Sequence, residues 1–238
     1  MDAEYAAAYP EYYRRHWWWR VRESILLGKI RSLVGCTQSA RILDVGCGAG
    51  LFFDALQQFG PVEGIESDAG AVESSGRWRH RIAHGQLDRS FRPAQAYDLI
   101  LMLDVLEHIR NPDELLHAAT RLLAANGRIL VTVPAFKWLW TTHDDVNHHL
   151  RRYTANEIRR ALTDAGLVVT ETRYMFQSLA ILKLAVRAGE AVALRSARGH
   201  RIPHPRLNAI MQAWYRAEYA AVGWLPFGSS VIAVGRLP

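Results

Sequence analysis

Arg41-Ile42-Leu43-Asp44-Val45-Gly46-Cys47-Gly48-Ala49-Gly50 runs directly into Leu51-Phe52-Phe53-Asp54-Ala55-Leu56. The apolar run with branched Ile42 and Val45 reads as a buried parallel strand, and three glycines spaced two apart break it before an amphipathic run resumes. The pattern is strand, tight turn and helix N-terminus. Glycine permits positive φ and lets a ligand lie against the backbone, while the first free N–H groups of the new helix add partial positive charge. Such a turn is the mouth of a nucleotide-type site.

The third glycine decides which nucleotide. A dinucleotide turn needs Gly-x-Gly-x-x-Gly, so that helix and strand pack closely beneath a pyrophosphate. Leu51 holds that last position here, and Asp44 stands two residues before the first glycine. About twenty residues further on, the run Pro61-Val62-Glu63-Gly64-Ile65-Glu66 ends in a carboxylate. At the carboxyl end of a parallel strand such a group accepts both hydroxyls of a ribose. Glu66 fits that place better than Glu63, which falls mid-strand.

Three blocks in order, Leu43 to Gly50, Gly64-Ile65-Glu66, and Tyr97-Asp98-Leu99-Ile100 running into Leu103-Asp104-Val105-Leu106-Glu107-His108-Ile109, carry a resemblance. The chain is similar to class I S-adenosylmethionine (SAM)-dependent methyltransferases, of the kind found in quinone and small-molecule biosynthesis. The resemblance implies an α/β fold: a Rossmann-like seven-stranded, mostly parallel sheet with an antiparallel last strand, plus a helical insert. It implies SAM as cofactor and S-adenosylhomocysteine as product. The cofactor would meet Asp44, Gly46, Cys47, Gly48, Gly50, Glu66, Ser67, Gln86, Leu87, Leu103 and Asp104. Trp18 and Arg22 join that set by the same analogy, from a leading helical segment over the pocket, with the guanidinium on the methionine carboxylate. His108 falls close to the reacting end. Gln86 stands where such enzymes usually carry Asp, so its amide would pair with the adenine amine.

At 238 residues, half of them hydrophobic, the chain can bury one sizeable core. A net charge of +6 points to acidic partners, but Lys29, Lys137 and Lys183 are its only lysines, so arginine carries nearly all the positive charge. No basic region followed by an apolar one opens the sequence, so no secretory signal is read. Cys36 and Cys47 are its only cysteines, and a crosslink at Cys47 would obstruct the glycine turn. Both are therefore expected as thiols in a cytoplasmic, or membrane-peripheral, protein. No apolar run of about twenty residues exists to span a bilayer.

Periodicity and the resemblance together divide the chain into a helical cap (1–38), an α/β core (39–174) that the resemblance implies is SAM-binding, a helical insert (175–228) and a final strand (229–238) that the resemblance returns to the core. Residues 5 to 33 read as helical, and consecutive Trp17, Trp18 and Trp19 cannot all bury against one surface. A third strand is expected over Arg79 to His84 and a fourth over Tyr97 to Met102. A helix is expected from Asn111-Pro112 to Ala124, and a fifth strand from Arg128 to Val133. Residues 135 to 152 form a loop rich in tryptophan and histidine. Imidazole titrates near neutral pH and can take a proton from an attacking hydroxyl, so His143 leads the catalytic candidates, followed by His148. Their spacing, His-x4-His-His, fits no standard zinc arrangement, and no metal is expected. In the insert, Lys183, Arg187 and Glu190 form one polar stripe on an apolar helix from Leu179 to Leu194, followed by the basic run Arg195 to Arg201. That insert suits a lid over an apolar acceptor, a homodimer contact or a membrane interface.

The reading is methyl transfer to a small or lipid-like acceptor through oxygen, nitrogen or carbon. The absent Asn/Asp-Pro-Pro-aromatic motif weighs against nucleic acid. Two alternatives stand beside it: an RNA- or polyanion-binding methyltransferase, and a membrane-surface SAM-binding protein without catalysis.

Overall fold

A computed structural model describes residues 3–190 and 202–238. The basic run Arg195 to Arg201 lies outside them. The helical region at the start is two helices, α1 (Ala3–Arg15) and α2 (Trp17–Val34), and not one. His16 divides them: its backbone is extended and its Nδ1 accepts the Trp18 N–H at 3.2 Å, capping α2. This break gives the three tryptophans three different surfaces. Trp17 stacks on Tyr215 at 4.6 Å, Trp18 leans on Phe176, and Trp19 meets Tyr9 edge-on.

The core follows the α/β pattern. β1 (Ile42–Val45) leads through the glycine turn to α3 (Phe53–Leu56). β2 (Val62–Glu66), α4 (Ala69–Glu73), β3 (Ile82–His84) and β4 (Tyr97–Leu103) come next. After α5 (Pro112–Thr120) run β5 (Leu123–Pro134), α6 (Thr142–Val146), α7 (Ala155–Asp164) and β6 (Val168–Met175). α8 (Gln177–Glu190) and α9 (Pro205–Val222) precede β7 (Ser230–Arg236). The sheet order is β3-β2-β1-β4-β5-β7-β6, with β7 antiparallel between β5 and β6 and the other pairings parallel. This is the seven-stranded arrangement expected from the sequence.

Two expected boundaries move. The third strand starts at Ile82, because residues 76–81 form a 3-10 turn. α5 stops at Thr120, and β5 begins at Leu123 in place of Arg128. Leu122 and Leu123 continue the helical apolar spacing, but Leu122 lies in the turn after α5 and Leu123 opens the strand, whose register against β4 shifts between Tyr97 and Leu99. Gly127 permits the shift, since a Cβ there would sit 2.8 Å from the Tyr97 carbonyl oxygen.

Strand alternation sorts side chains to two cores. Leu43, Val45, Ile100, Met102, Ile129 and Val131 face α5 and α7. Ile42, Leu99, Leu101 and Leu130 face α2 and α9. Asp44 and Thr132 share the parity of this second set, so they lie on the α2 side at the carboxyl edge of the sheet. Arg173 of β6 ties down α9 by donating to the carbonyls of Tyr219 and Gly223, where a cation suits the negative helix end. The buried Glu218 carboxylate accepts the Ser178 N–H and joins α9 to the first turn of α8.

Candidate active site

The glycine turn is built on left-handed backbone. Gly46, Gly48 and Gly50 have φ of 69°, 54° and 70°, a region L-residues seldom enter. Each neighbourhood differs. A Cβ on Gly46 would lie 2.8 Å from Val105 Cγ2, whereas one on Gly48 would meet nothing within 4 Å. Gly48 thus presents bare backbone to open space. Glu66 supports the turn from the next strand: one carboxylate oxygen accepts the Gly48 N–H at 2.8 Å and the other accepts the Asp68 N–H at 2.8 Å. Ser67 lies beside it, its hydroxyl 3.4 Å from the same carboxylate. Burial pushes the Cys47 thiol well above its usual range, with Asp44 and Glu66 adding to the effect, so it stays protonated.

Asp44, Asp104 and Arg22 meet beyond the turn. Burial raises the Asp44 carboxyl to about 7, against the lowering effect of Arg22. Arg22, itself buried, donates to Thr132 Oγ1 at 2.8 Å, pairs with Asp104 at 2.8 Å and lies over the Trp18 ring. Asp104 takes left-handed φ of 58° directly after β4, and Phe176 takes 61° directly after β6. Positive φ is costly for such residues, and it aims both side chains at this edge of the sheet.

A second cluster is built from the segment after β4 and the loop after β5. Asp144 is wholly buried and accepts from Arg152 Nε and Nη2 at 2.8 and 2.9 Å. His149 Nδ1 lies 2.8 Å from its Oδ1. Burial opposes ionisation of Asp144, but the hydrogen bonds of His149 and Arg152 and the Arg152 charge prevail, and its carboxyl is held well below the usual range. His108 packs edge-on against His149 with ring centroids 4.8 Å apart. Its pKa is lowered by burial and by His149, so the imidazole is neutral at pH 7. Glu107 beside it is fully buried with neither oxygen hydrogen-bonded among the described residues, and burial together with the Asp104 charge pushes its carboxyl well above the usual range. Glu107, His108 and His149 each place one donor atom within 4.8 Å of the others, the one such trio of metal-type donors among the described residues.

The residues predicted from the sequence divide between two places. Asp44, Gly46, Cys47, Gly48, Gly50, Glu66 and Ser67 line or support the turn, and Leu103, Asp104, Trp18 and Arg22 adjoin it. Gln86 is exposed and Leu87 buried at the end of β3. His108 lies in the second cluster, and His143 lies at its edge, its ring 6.4 Å from that of His149. His148 is turned to solvent at φ 57°, and His149 takes the inward place in its stead. The sequence reading gave no role to His149, Asp144, Arg152 or Lys183. Spacing alone could have paired Asp144 with a loop cation, but only the fold selects which one. Lys183 is turned inward toward Asp144, Asp104 and Arg152, and burial lowers its pKa to about 8.

Comparison with known proteins agrees with this geometry. A family model described as a methyltransferase domain matches residues 17–172. A ubiquinone biosynthesis O-methyltransferase of Caulobacter sp. is 29% identical over 105 residues, covering 40% of each chain. Its counterpart from Bradyrhizobium diazoefficiens is 25% identical over 164 residues, covering 60% of this chain and 63% of that protein. The aligned stretch thus spans less than two thirds of either relative. Geranyl diphosphate C-methyltransferase from Streptomyces coelicolor superposes with a TM-score of 0.57 at 15% identity, covering 91% of this chain and 81% of that one. A SAM-dependent methyltransferase from Archaeoglobus fulgidus gives 0.55 at 12% identity, covering 90% and 93%. These two likenesses concern the fold. The family match runs from the tryptophans of α2 through the glycine turn and the Asp104 to His108 segment, and on these grounds the chain belongs to the class I SAM-dependent methyltransferase family.

Proposed function

We propose that this protein transfers the methyl group of SAM to the hydroxyl of a small or lipid-like acceptor. One observation carries the reading: a continuous line of ionisable groups, Glu66, Asp44, Arg22, Asp104, His108, His149 and Asp144, runs from the glycine turn to a neutral imidazole. One end suits an adenosyl ribose and an amino acid tail, the other a hydroxyl that must lose its proton. A hydroxyl is favoured over nitrogen or carbon because both relatives compared above are O-methyltransferases.

When bound, the cofactor supplies an electrophilic methyl carbon. Glu66 would accept from the ribose hydroxyls, Asp44 would accept from the amino group of the methionine part, and Arg22 would donate to its carboxylate. With ionised Asp144 accepting from His149 Nδ1, the Nε2 lone pair of His149 is available to take the acceptor's proton, and neutral His108 adjoins it. With its proton taken by His149, an acceptor oxygen held in line with that carbon would be able to attack it, the bound cofactor supplying the carbon–sulfur bond that would break as the carbon–oxygen bond formed. Holding the nucleophile at near-attack distance is worth up to about 7–11 kcal/mol, more than the factor of about 10²–10⁴ from one base. Calorimetric titration with SAM, S-adenosylhomocysteine and NAD tests the reading. Binding of NAD without either adenosyl sulfur compound would refute it.

The cap (1–38) and insert (175–228) fit the same proposal as a cover over the site, with peripheral membrane contact through the outer side of α8 and α9. Ile181, Leu182, Ile210, Trp214 and Trp224 are exposed there, and no described helix is long and apolar enough to cross a membrane. Cosedimentation with phosphatidylglycerol vesicles checks this contact, and a dimer by light scattering without vesicle binding would assign the face to a second copy. A cytoplasmic location belongs to the same proposal. The polyanion alternative is weakened because many arginines are engaged within the fold: Arg15 with Glu11, Arg20 with Glu23, Arg22 with Asp104, Arg77 with Asp54 and Arg152 with Asp144.

A further inference from the structure

α8 is rotated against its own composition. Its sequence would bury the apolar side and leave Lys183 in water, yet Ile181, Leu182 and Leu184 are 61%, 52% and 49% exposed while Lys183 is partly buried. Hydrophobic burial favours the opposite rotation. The helix starts at Gln177, immediately after the carboxyl end of β6, and packs over the turn at 137–139, which places Lys183 above the reacting cluster.

The charges of that cluster are otherwise matched. Asp104 is paired with Arg22 and Asp144 with Arg152, while burial and the Asp104 charge both disfavour ionisation of Glu107. Lys183 makes no hydrogen bond or ion pair with any described residue, and the charged groups it faces are Asp144, Asp104 and Arg152. Lys183 therefore faces the acceptor side of the site without a counterion of its own among the described residues. An ammonium in a partly desolvated place without a partner is costly unless an anion joins it.

We propose that Lys183 binds an anionic oxygen of the acceptor, a carboxylate or a phenolate, and so selects acidic hydroxyl compounds over neutral ones. This rests on the methyl-transfer reading, since it assigns the space between α8 and His149 to the acceptor. With a pKa of about 8 the side chain is charged at neutral pH and available for that contact. Lys183 acts on binding and not on the proton transfer, which keeps its role separable from that of His149.

The test is calorimetry at neutral pH on protein saturated with S-adenosylhomocysteine, with protocatechuate and its neutral amide as probes. Wild type, Lys183→Met and Lys183→Arg are compared. Protocatechuate is expected to bind wild type, to weaken about tenfold or more in Lys183→Met, as loss of a charge-assisted contact implies, and to recover in Lys183→Arg. An amide insensitive to Lys183→Met assigns the oxygen to the carboxylate; an amide with the same sensitivity assigns it to the phenolate. Equal protocatechuate affinity in wild type and Lys183→Met, or no binding to wild type, overturns the proposal. S-adenosylhomocysteine should bind all three proteins alike. Its failure to bind wild type would instead overturn the methyl-transfer reading, and this proposal with it.

Discussion

Gly64 sits in the middle of β2, one strand away from the glycine turn, yet the structure makes it a constraint on the shape of that turn. A Cβ at this position would lie 2.5 Å from Cys47 Sγ, 2.8 Å from Phe53 Cζ and 3.2 Å from Cys47 Cβ. Its φ is not in the left-handed region, so Gly64→Ala is a steric perturbation and not a backbone one. Phe53 is fully buried and cannot swing away, and overpacking of this kind costs about 1–3 kcal/mol. Cys47 lies between Gly46 and Gly48, so part of the displacement moves the Gly48 N–H away from Glu66. If about 1 kcal/mol of the strain is released only when the cofactor site is deformed, affinity falls roughly fivefold. Urea denaturation and calorimetry with S-adenosylhomocysteine measure the two effects. The second substitution Cys47→Ala removes the sulfur contact but not those with Phe53 and the Cβ, so the double variant should recover part of both losses and show non-additivity. Wild-type midpoint and affinity in Gly64→Ala would refute the packing argument, and strict additivity with Cys47→Ala would refute the route through the thiol.

Glu66→Ala removes the acceptor of two backbone N–H groups and, on the proposed function, of the ribose hydroxyls. A loss of about 1.5–3 kcal/mol in binding S-adenosylhomocysteine is expected, seen by calorimetry as roughly a ten- to hundredfold weaker affinity. The Asp144 carboxyl, depressed in the native state, gives stability that is present above its unfolded value of about 4 and lost as pH falls toward the native one. Urea midpoints should therefore drop on acidification in wild type, and the slope should flatten in Asp144→Asn, which is itself destabilised because Arg152 loses its buried counterion. His149→Ala should slow turnover of any acceptor by about 10²–10⁴, while His148→Ala, at a solvent-facing position, should stay near wild type in the same steady-state assay.

The glycine turn and its supports were largely legible. Three glycines, an acid two residues before them and a carboxylate ending the next strand act through local backbone geometry, which sequence spacing fixes directly. The expected length of α5 failed because Leu122 and Leu123 continue its apolar spacing, whereas Leu123 pairs with Tyr97 in the sheet, a long-range contact that local spacing does not carry. The acceptor half was not legible in the same way, because a loop's histidines have no period from which to read their direction.

By itself the sequence determined the order of strands and helices, the glycine turn, Glu66 and the presence of titratable rings after the fifth strand. Each is a local matter of periodicity, glycine freedom or capping. Only tertiary structure decided that a left-handed residue at His148 turns His149 inward, that Arg152 is the partner of Asp144, and that α8 presents Lys183 and not its apolar side to the site. Those choices depend on which surfaces meet at the carboxyl edge of the sheet, and on matching buried charges between segments far apart in the chain, a free energy that no single stretch of residues carries.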